Sequence, residues 1–272
     1  MRKLLSVASA LLLAGCMTSN VSLEGPRVIN VEGTASPAGT VLKANMNGLV
    51  TMTGPSYVTV IVNEAQKHNR NAADVLPDAL TSGSGFVVDT KGHVMTAGHV
   101  AVAAGYTVDA RGADGRLYRG KVLAVSKSPD MALIELSGFT GTPVTVASTP
   151  CLSQGDPVFS LGKPHAQGDT ARIGTLESMS FGRAVSYTGF GYPDAMVLRM
   201  STRKGESGGP LFNSRGELTG MVVSTLSDGN GRPLNLAHAL PSPDIAQFLC
   251  KNISCSPQWR AVIDIDIRRC ST

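Results

Sequence analysis

Gly205-Glu206-Ser207-Gly208-Gly209-Pro210 sets a serine inside a glycine-rich turn. A serine hydroxyl attacks a carbonyl only when a base takes its proton and donors stabilise the resulting oxyanion. Glycines beside Ser207 let the backbone turn tightly and aim N–H groups at one point. On this reading the N–H groups of Gly205 and Ser207 form the oxyanion hole. A histidine and an acid stand upstream. Thr96-Ala97-Gly98-His99-Val100 ends a β-prone run on His99, and Ser128-Pro129-Asp130-Met131-Ala132-Leu133-Ile134 puts Asp130 at the entrance of a buried strand. A buried acid is costly unless paired. Singly, His99 reads as a strand-end histidine, Asp130 as a turn cap and Ser207 as a turn residue. Together they suit acyl transfer: Ser207 as nucleophile, His99 as base and Asp130 as its orienting partner.

Other chemistries lack their residues. His93 and His99 belong to no HExxH set, and no P-loop or dinucleotide fingerprint occurs, so no metal or cofactor is expected. Asp169, Asp194 and Asp228 stand in Gly-rich or Pro-adjacent stretches and read as turns. Met131, Met196, Met200 and Met221 read as core.

The elements that must position these groups are β-strands. The chain has 272 residues, enough for one large domain or two small ones. Gly 30 and Pro 15 imply many turns, and turn signals recur about every ten residues. Strands are predicted at Tyr57–Val62, Gly83–Asp89, His93–Thr96, Tyr106–Ala110, Leu117–Val125 and Met131–Leu136. A second series follows at Pro157–Gly162, Ala171–Leu176, Ala195–Met200, Pro210–Phe212, Leu218–Thr225 and Asn235–Leu240. This is an all-β pattern of barrel or sandwich type. The polar insert from Asn63 to Thr81 reads as a surface loop with a helical turn at Ala72 to Leu76. A short helix is expected at Ile245 to Leu249. Alternation through Ile263, Ile265 and Ile267 suggests an added edge strand in the tail.

The N-terminus points to export. Arg2 and Lys3 precede an apolar run, Leu4 to Leu13, too short to span a bilayer comfortably. It ends in Leu13-Ala14-Gly15-Cys16, which resembles a bacterial lipobox. That implies a signal peptide at 1–15, cleavage before Cys16 and acyl chains that hold the protein on a membrane. The alternative is an ordinary secretory signal with a chance cysteine. Met17 in place of an aspartate leans towards the outer membrane, facing the periplasm. Residues 16–48 read as a tether or propeptide, with a short strand at Val28–Val31. The formal charge is +4, about +2 without Arg2 and Lys3, too mild to suggest nucleic acid. Cys151, Cys250, Cys255 and Cys270 suit disulfides in an exported chain. Three pairings are open, and at least one should staple the tail at 251–272. A zinc site would need a second close pair or a nearby histidine.

The chain resembles a trypsin-like (chymotrypsin-fold) serine protease, closest to the bacterial HtrA/Deg branch. The resemblance rests on Gly83-Ser84-Gly85-Phe86-Val87, Thr96-Ala97-Gly98-His99-Val100, Pro129-Asp130-Met131-Ala132-Leu133, Leu161-Gly162-Lys163-Pro164, Gly174-Thr175-Leu176, the serine turn, Gly216-Glu217-Leu218-Thr219-Gly220 and Ala237-His238-Ala239-Leu240-Pro241. It implies a protease domain at 49–250 built from two six-stranded antiparallel β-barrels, at about 49–142 and 143–242. The active site would lie between them, with a protein or peptide as substrate. Ser201, six residues before Ser207, would stand at the floor of the specificity pocket, with Ser224 and Thr225 along its wall. No acid at Ser201 argues against Arg or Lys specificity and for small or medium apolar residues. His238 reads as structural. Glu206 departs from the Asp or Asn usual in the family, and a longer acid can reach another partner. The 22 residues beyond Cys250 are too few for a domain of about 50, so no PDZ domain is expected. Alternatives are a catalytically silent binding protein on this scaffold and a toxin-like effector protease.

Overall fold

The computed structural model describes residues 27–33, 37–63, 80–165, 167–228, 230, 232–267 and 270. The signal peptide at 1–15, Cys16 and the helical turn at 72–76 lie outside the described residues.

The described chain begins with β1 (Ile29–Gly33) and α1 (Pro37–Thr53). Most of this stretch was expected as tether, and the structure corrects that. Leu42, Met46, Leu49 and Thr53 are buried, at i, i+4, i+7 and i+11, so one stripe of α1 packs on the fold. Gly39, Asn45, Asn47 and Gly48 dilute that stripe, and exposed Val41 and Met52 blur its period. A Cβ on Gly216 would run into Met52, crowd Thr53 and touch Leu49, so the turn at Asn213–Gly216 sits directly against the helix.

The first barrel contains β2 (Tyr57–Asn63), β3 (Thr81–Val87), β4 (His93–Thr96), β5 (Thr107–Arg111), β6 (Leu117–Lys127) and β7 (Asp130–Leu136), with the short helix α2 (Gly98–Ala101) after β4. These strands close antiparallel in the order β2-β3-β4-β7-β6-β5. All seven residues of β2 are buried. Its β-branched run therefore packs on both faces, which a half-exposed strand could not sustain.

The second barrel contains β8 (Pro157–Gly162), β9 (Asp169–Ser178), β12 (Met196–Arg199), β13 (Pro210–Asn213), β14 (Leu218–Ser227) and β15 (Pro233–Pro241). The hairpin of β10 (Val185–Tyr187) and β11 (Phe190–Tyr192) is inserted between β9 and β12. The six strands form a ring, β8-β9-β12-β15-β14-β13, with β13 pairing back to β8. β9 is ten residues long. β12 pairs with its second half, at Thr175 to Ser178. β1 takes the first half in parallel, from Ile29 opposite Asp169 to Gly33 opposite Ile173. The N-terminal segment thereby joins the second barrel.

α3 (Ser242–Asn252) and α4 (Pro257–Val262) follow. The predicted edge strand in the tail is not there: α4 runs into a turn, and no strand occurs among the described tail residues. Trp259 and Val262 are buried one helical turn apart, and Ile263, Ile265 and Ile267 pack singly against the two core clusters. Apolar alternation there reflects three separate anchors. Cys151 is bonded to Cys270 and Cys250 to Cys255, with Cα–Cα distances of 5.2 and 5.1 Å. The first bridge ties the tail to the start of the second barrel.

Asp169 is also more than a turn. It is buried, it pairs with Arg111 of the first barrel, and it accepts a hydrogen bond from the Tyr57 hydroxyl at 3.0 Å. The barrels are latched through this carboxylate.

Candidate active site

Ala97 is extended, and α2 begins at the next residue. This break aims His99 back across the start of β7. The His99 backbone N–H donates to Asp130 Oδ1 at 2.7 Å, and Nδ1 lies 2.6 Å from Asp130 Oδ2. Asp130 is fully buried while the His99 side chain is 26% exposed. A carboxylate accepts but does not donate, so Nδ1 carries the proton and Nε2 is left as the basic nitrogen. Gly98 permits this approach: a Cβ there would stand 2.8 Å from Asp130 Oδ1 and 2.7 Å from the Ser126 carbonyl.

Ser207 sits in the turn before β13. Its hydroxyl donates to the Val223 carbonyl of β14 at 3.3 Å and makes no hydrogen bond to His99 among the described residues. In this rotamer the hydroxyl is engaged by a main-chain carbonyl, and catalytic hydrogen bonds commonly tighten only with substrate bound. The surrounding N–H groups are sorted. Glu206 N–H donates to the Arg203 carbonyl, Gly208 N–H to Val222 and Gly209 N–H to Glu206. The N–H groups of Gly205 and Ser207 donate to no acceptor among the described residues. Two such donors beside a serine hydroxyl suit a developing oxyanion.

The first barrel grips this turn through Ser84 of β3. Ser84 N–H donates to the Ser207 carbonyl at 2.9 Å, and its hydroxyl donates to the Gly205 carbonyl at 2.8 Å. Gly205 has φ +95, a left-handed conformation, and any Cβ would collide with the Lys163 carbonyl. That combination requires glycine.

Glu206, the departure noted from the sequence, points inward and is 2% exposed. Its Oε1 accepts from Arg172 Nε at 2.7 Å, and its Oε2 accepts the Arg203 backbone N–H. Arg172 Nη1 also donates to Glu32 Oε2 on β1 at 2.8 Å. Burial pushes the Glu206 carboxyl up, against the pull of Arg172.

Ser201 follows the end of β12 and is half-buried; Ser224 and Thr225 lie on β14. The Thr225 hydroxyl is 2.7 Å from that of Thr202, and Ser224 Oγ is 2.8 Å from the Tyr192 hydroxyl. His238, read as structural, is 2% exposed. Its Nδ1 is 2.8 Å from the Tyr192 hydroxyl, and burial lowers its pKa to about 4, which keeps it neutral. No group of three or more His, Cys, Asp or Glu that could hold a metal occurs among the described residues.

Arg172, Ser84 and Tyr187 escaped the sequence as site residues. Ser84 was visible only as part of a Gly-Ser-Gly run. Arg172 lay inside the predicted strand Ala171–Leu176 with nothing to single it out. Tyr187 donates to Asp130 Oδ2 from the β10–β11 hairpin; its signal was the Tyr187-Thr188-Gly189-Phe190 turn, which was not read as a hairpin.

Two closed six-stranded antiparallel barrels, with a His99–Asp130 pair on the first and a serine turn on the second, define the class of chymotrypsin-fold proteins. Residues 83–221 match the family described as trypsin-like peptidase domain, and the chain belongs to that family. It is 30% identical over 176 residues to the putative serine protease HhoB of Synechocystis sp., covering 63% of this chain and 40% of that protein. It is 30% identical over 164 residues to the periplasmic serine endoprotease DegP of Escherichia coli, covering 59% and 33%. The chain thus spans about two fifths or less of these relatives. The crystal structure of the active form of the Rv3671c protease from M. tuberculosis shares the fold. It has a TM-score of 0.62 and 24% identity, covering 88% of this chain and 96% of that one.

Proposed function

We propose that the protein is a serine endopeptidase of the bacterial envelope, acting through His99, Asp130 and Ser207. The observation that carries this is the His99 Nδ1–Asp130 pair at 2.6 Å together with a serine turn whose Gly205 and Ser207 N–H groups have no acceptor among the described residues. Ser207 Oγ adds to the peptide carbonyl while His99 Nε2 takes its proton. The carbonyl oxygen becomes an oxyanion held by the Gly205 and Ser207 N–H groups. Collapse breaks the C–N bond, and His99 returns the proton to the leaving amine. Water then adds to the acyl-enzyme by the same route and frees Ser207.

Ser201, Ser224 and Thr225 line the pocket in this reading, with no acid to receive Arg or Lys, so small or medium apolar residues precede the cleaved bond. Relatives named as periplasmic proteases support an envelope location. A lipid on Cys16 would hold the enzyme to the outer membrane. No described helix is long and apolar enough to cross a membrane. Ser207→Ala should abolish casein hydrolysis and fluorophosphonate labelling while the fold is retained. Hydrolysis undiminished in that variant would rule out the triad; absence of hydrolysis and labelling in the wild type would leave a silent binding protein.

A further inference from the structure

Asp130 Oδ2 accepts two hydrogen bonds, one from His99 Nδ1 at 2.6 Å and one from the Tyr187 hydroxyl. Asp130 lies in the first barrel, at the start of β7. Tyr187 lies in the second, on a hairpin inserted between its strands. The Tyr187 ring also stands edge-on to the His99 ring, with centroids 5.6 Å apart and planes at 76°. One side chain therefore touches both the base and the acid that orients it.

We propose that Tyr187 is a positioning residue that sets the basicity of His99 through the Asp130 carboxylate, and that the β10–β11 hairpin must be seated for the base to be tuned. This rests on the triad reading above.

A fully buried carboxylate needs donors to remain ionised. Asp130 has three: the His99 backbone N–H, His99 Nδ1–H and the Tyr187 hydroxyl. Burial and the Asp130 charge push the Tyr187 phenol far above its ordinary range, so it stays a donor at every working pH. The reach of Tyr187 is built into the hairpin. Thr188 and Gly189 both have positive φ, 48° and 83°, the pattern of a two-residue type I′ turn. The register then sets Tyr187 opposite Phe190 and Val185 opposite Tyr192. Tyr192 is pinned in turn, its hydroxyl 2.8 Å from both Ser224 Oγ and His238 Nδ1. The hairpin thus runs from Ser224, assigned above to the pocket wall, to Asp130.

The phenol stabilises the Asp130 carboxylate most when His99 is neutral and supplies no positive charge of its own. Removing the hydroxyl should therefore favour protonated His99 and raise its pKa. A tyrosine that only packed the hairpin would leave that pKa alone.

The test is an NMR titration of the His99 imidazole in the full chain, in a Ser207→Ala background, so that it does not depend on turnover. Tyr187→Phe keeps the ring and should raise the His99 pKa by about half a unit to one unit. 3-Fluorotyrosine at position 187, a stronger donor, should lower it. In the Ser207 enzyme, Tyr187→Phe should move the acid limb of kcat/KM upward and lower kcat about three- to tenfold. Tyr192→Phe should leave the His99 pKa in place. An unchanged or lowered pKa in Tyr187→Phe, or an equal rise in Tyr192→Phe, overturns the inference. Loss of Ser207-dependent hydrolysis in the parent enzyme would overturn the triad reading instead, and the titration would still be readable.

Discussion

Arg172 Nε and Glu206 Oε1 lie 2.7 Å apart in the interior, one residue before Ser207. Arg172 is on β9, directly opposite Glu32 in the β1 register, and it holds both carboxylates. Glu206 Oε2 takes the Arg203 N–H. The acid thus closes the Arg203–Ser207 loop on itself and fastens it to the barrel wall. Gly162 makes room for it, since a Cβ there would stand 3.0 Å from Glu206 Cβ and Cγ.

Glu206→Gln should therefore damage the loop more than the fold. The amide cannot balance Arg172, and it offers Arg203 a weaker acceptor. We expect kcat to fall by about ten- to a hundredfold, less than the hundred- to thousandfold typical of losing an oxyanion donor outright, with KM little changed. Stability should fall by about 2–4 kcal/mol, less than a fully stranded buried charge because Glu32 still meets Arg172. Steady-state kinetics and urea unfolding of the same sample check both. Wild-type kcat in Glu206→Gln would detach this pair from the oxyanion hole.

Much of the two-barrel core was legible because burial on both faces leaves dense β-branched runs such as Tyr57–Val62, and turns such as Lys91-Gly92 bound them. All twelve strands predicted between Tyr57 and Leu240 occur in the structure, within a few residues at their ends. The His99–Asp130 contact and the Ser207 turn stood out in the sequence because close backbone approaches need glycines and a buried acid needs a partner. What escaped depends on partners distant in sequence. The short strand expected at Val28–Val31 occurs as β1, but its parallel partner, the first half of β9, was not foreseen. α1 is stabilised by packing a diluted apolar stripe, not by helix propensity. β10 and β11 are three residues each, below the length at which alternation shows. Asp169 looked like a turn acid because its partner, Arg111, is 58 positions away.

That pairing gives a second prediction. The side chains of Arg111 and Asp169 are 7% and 4% exposed. Asp169→Asn leaves a buried guanidinium without its counter-charge, which should cost about 3–5 kcal/mol in urea unfolding. Replacing both partners, as Arg111→Met with Asp169→Leu, should recover much of that loss, because neither member of the pair is then left facing an uncharged partner. A double variant as unstable as Asp169→Asn would show that Tyr57 and Thr59, which also bond Asp169, carry the latch.

His238 should make the protein acid-sensitive in a defined window. Burial lowers its pKa from 6.5 to about 4, with Asp194 pulling up and Arg183 pushing down. Above pH 6.5 the histidine is neutral in both folded and unfolded chains and costs nothing. Between pH 6.5 and 4 the unfolded chain takes up a proton that the folded chain refuses, so stability falls as pH falls. One pH unit of that imbalance is worth about 1.4 kcal/mol, which caps the loss near 3 kcal/mol by pH 4. His238→Asn keeps an acceptor for the Tyr192 hydroxyl and removes the titration. It should be less stable than wild type at pH 7, because the smaller side chain leaves a gap beside Phe181, whose ring is 4.4 Å from the imidazole. It should lose less stability on going to pH 4.5. Urea unfolding of both proteins at the two pH values isolates the difference, and parallel losses would place the acid sensitivity elsewhere.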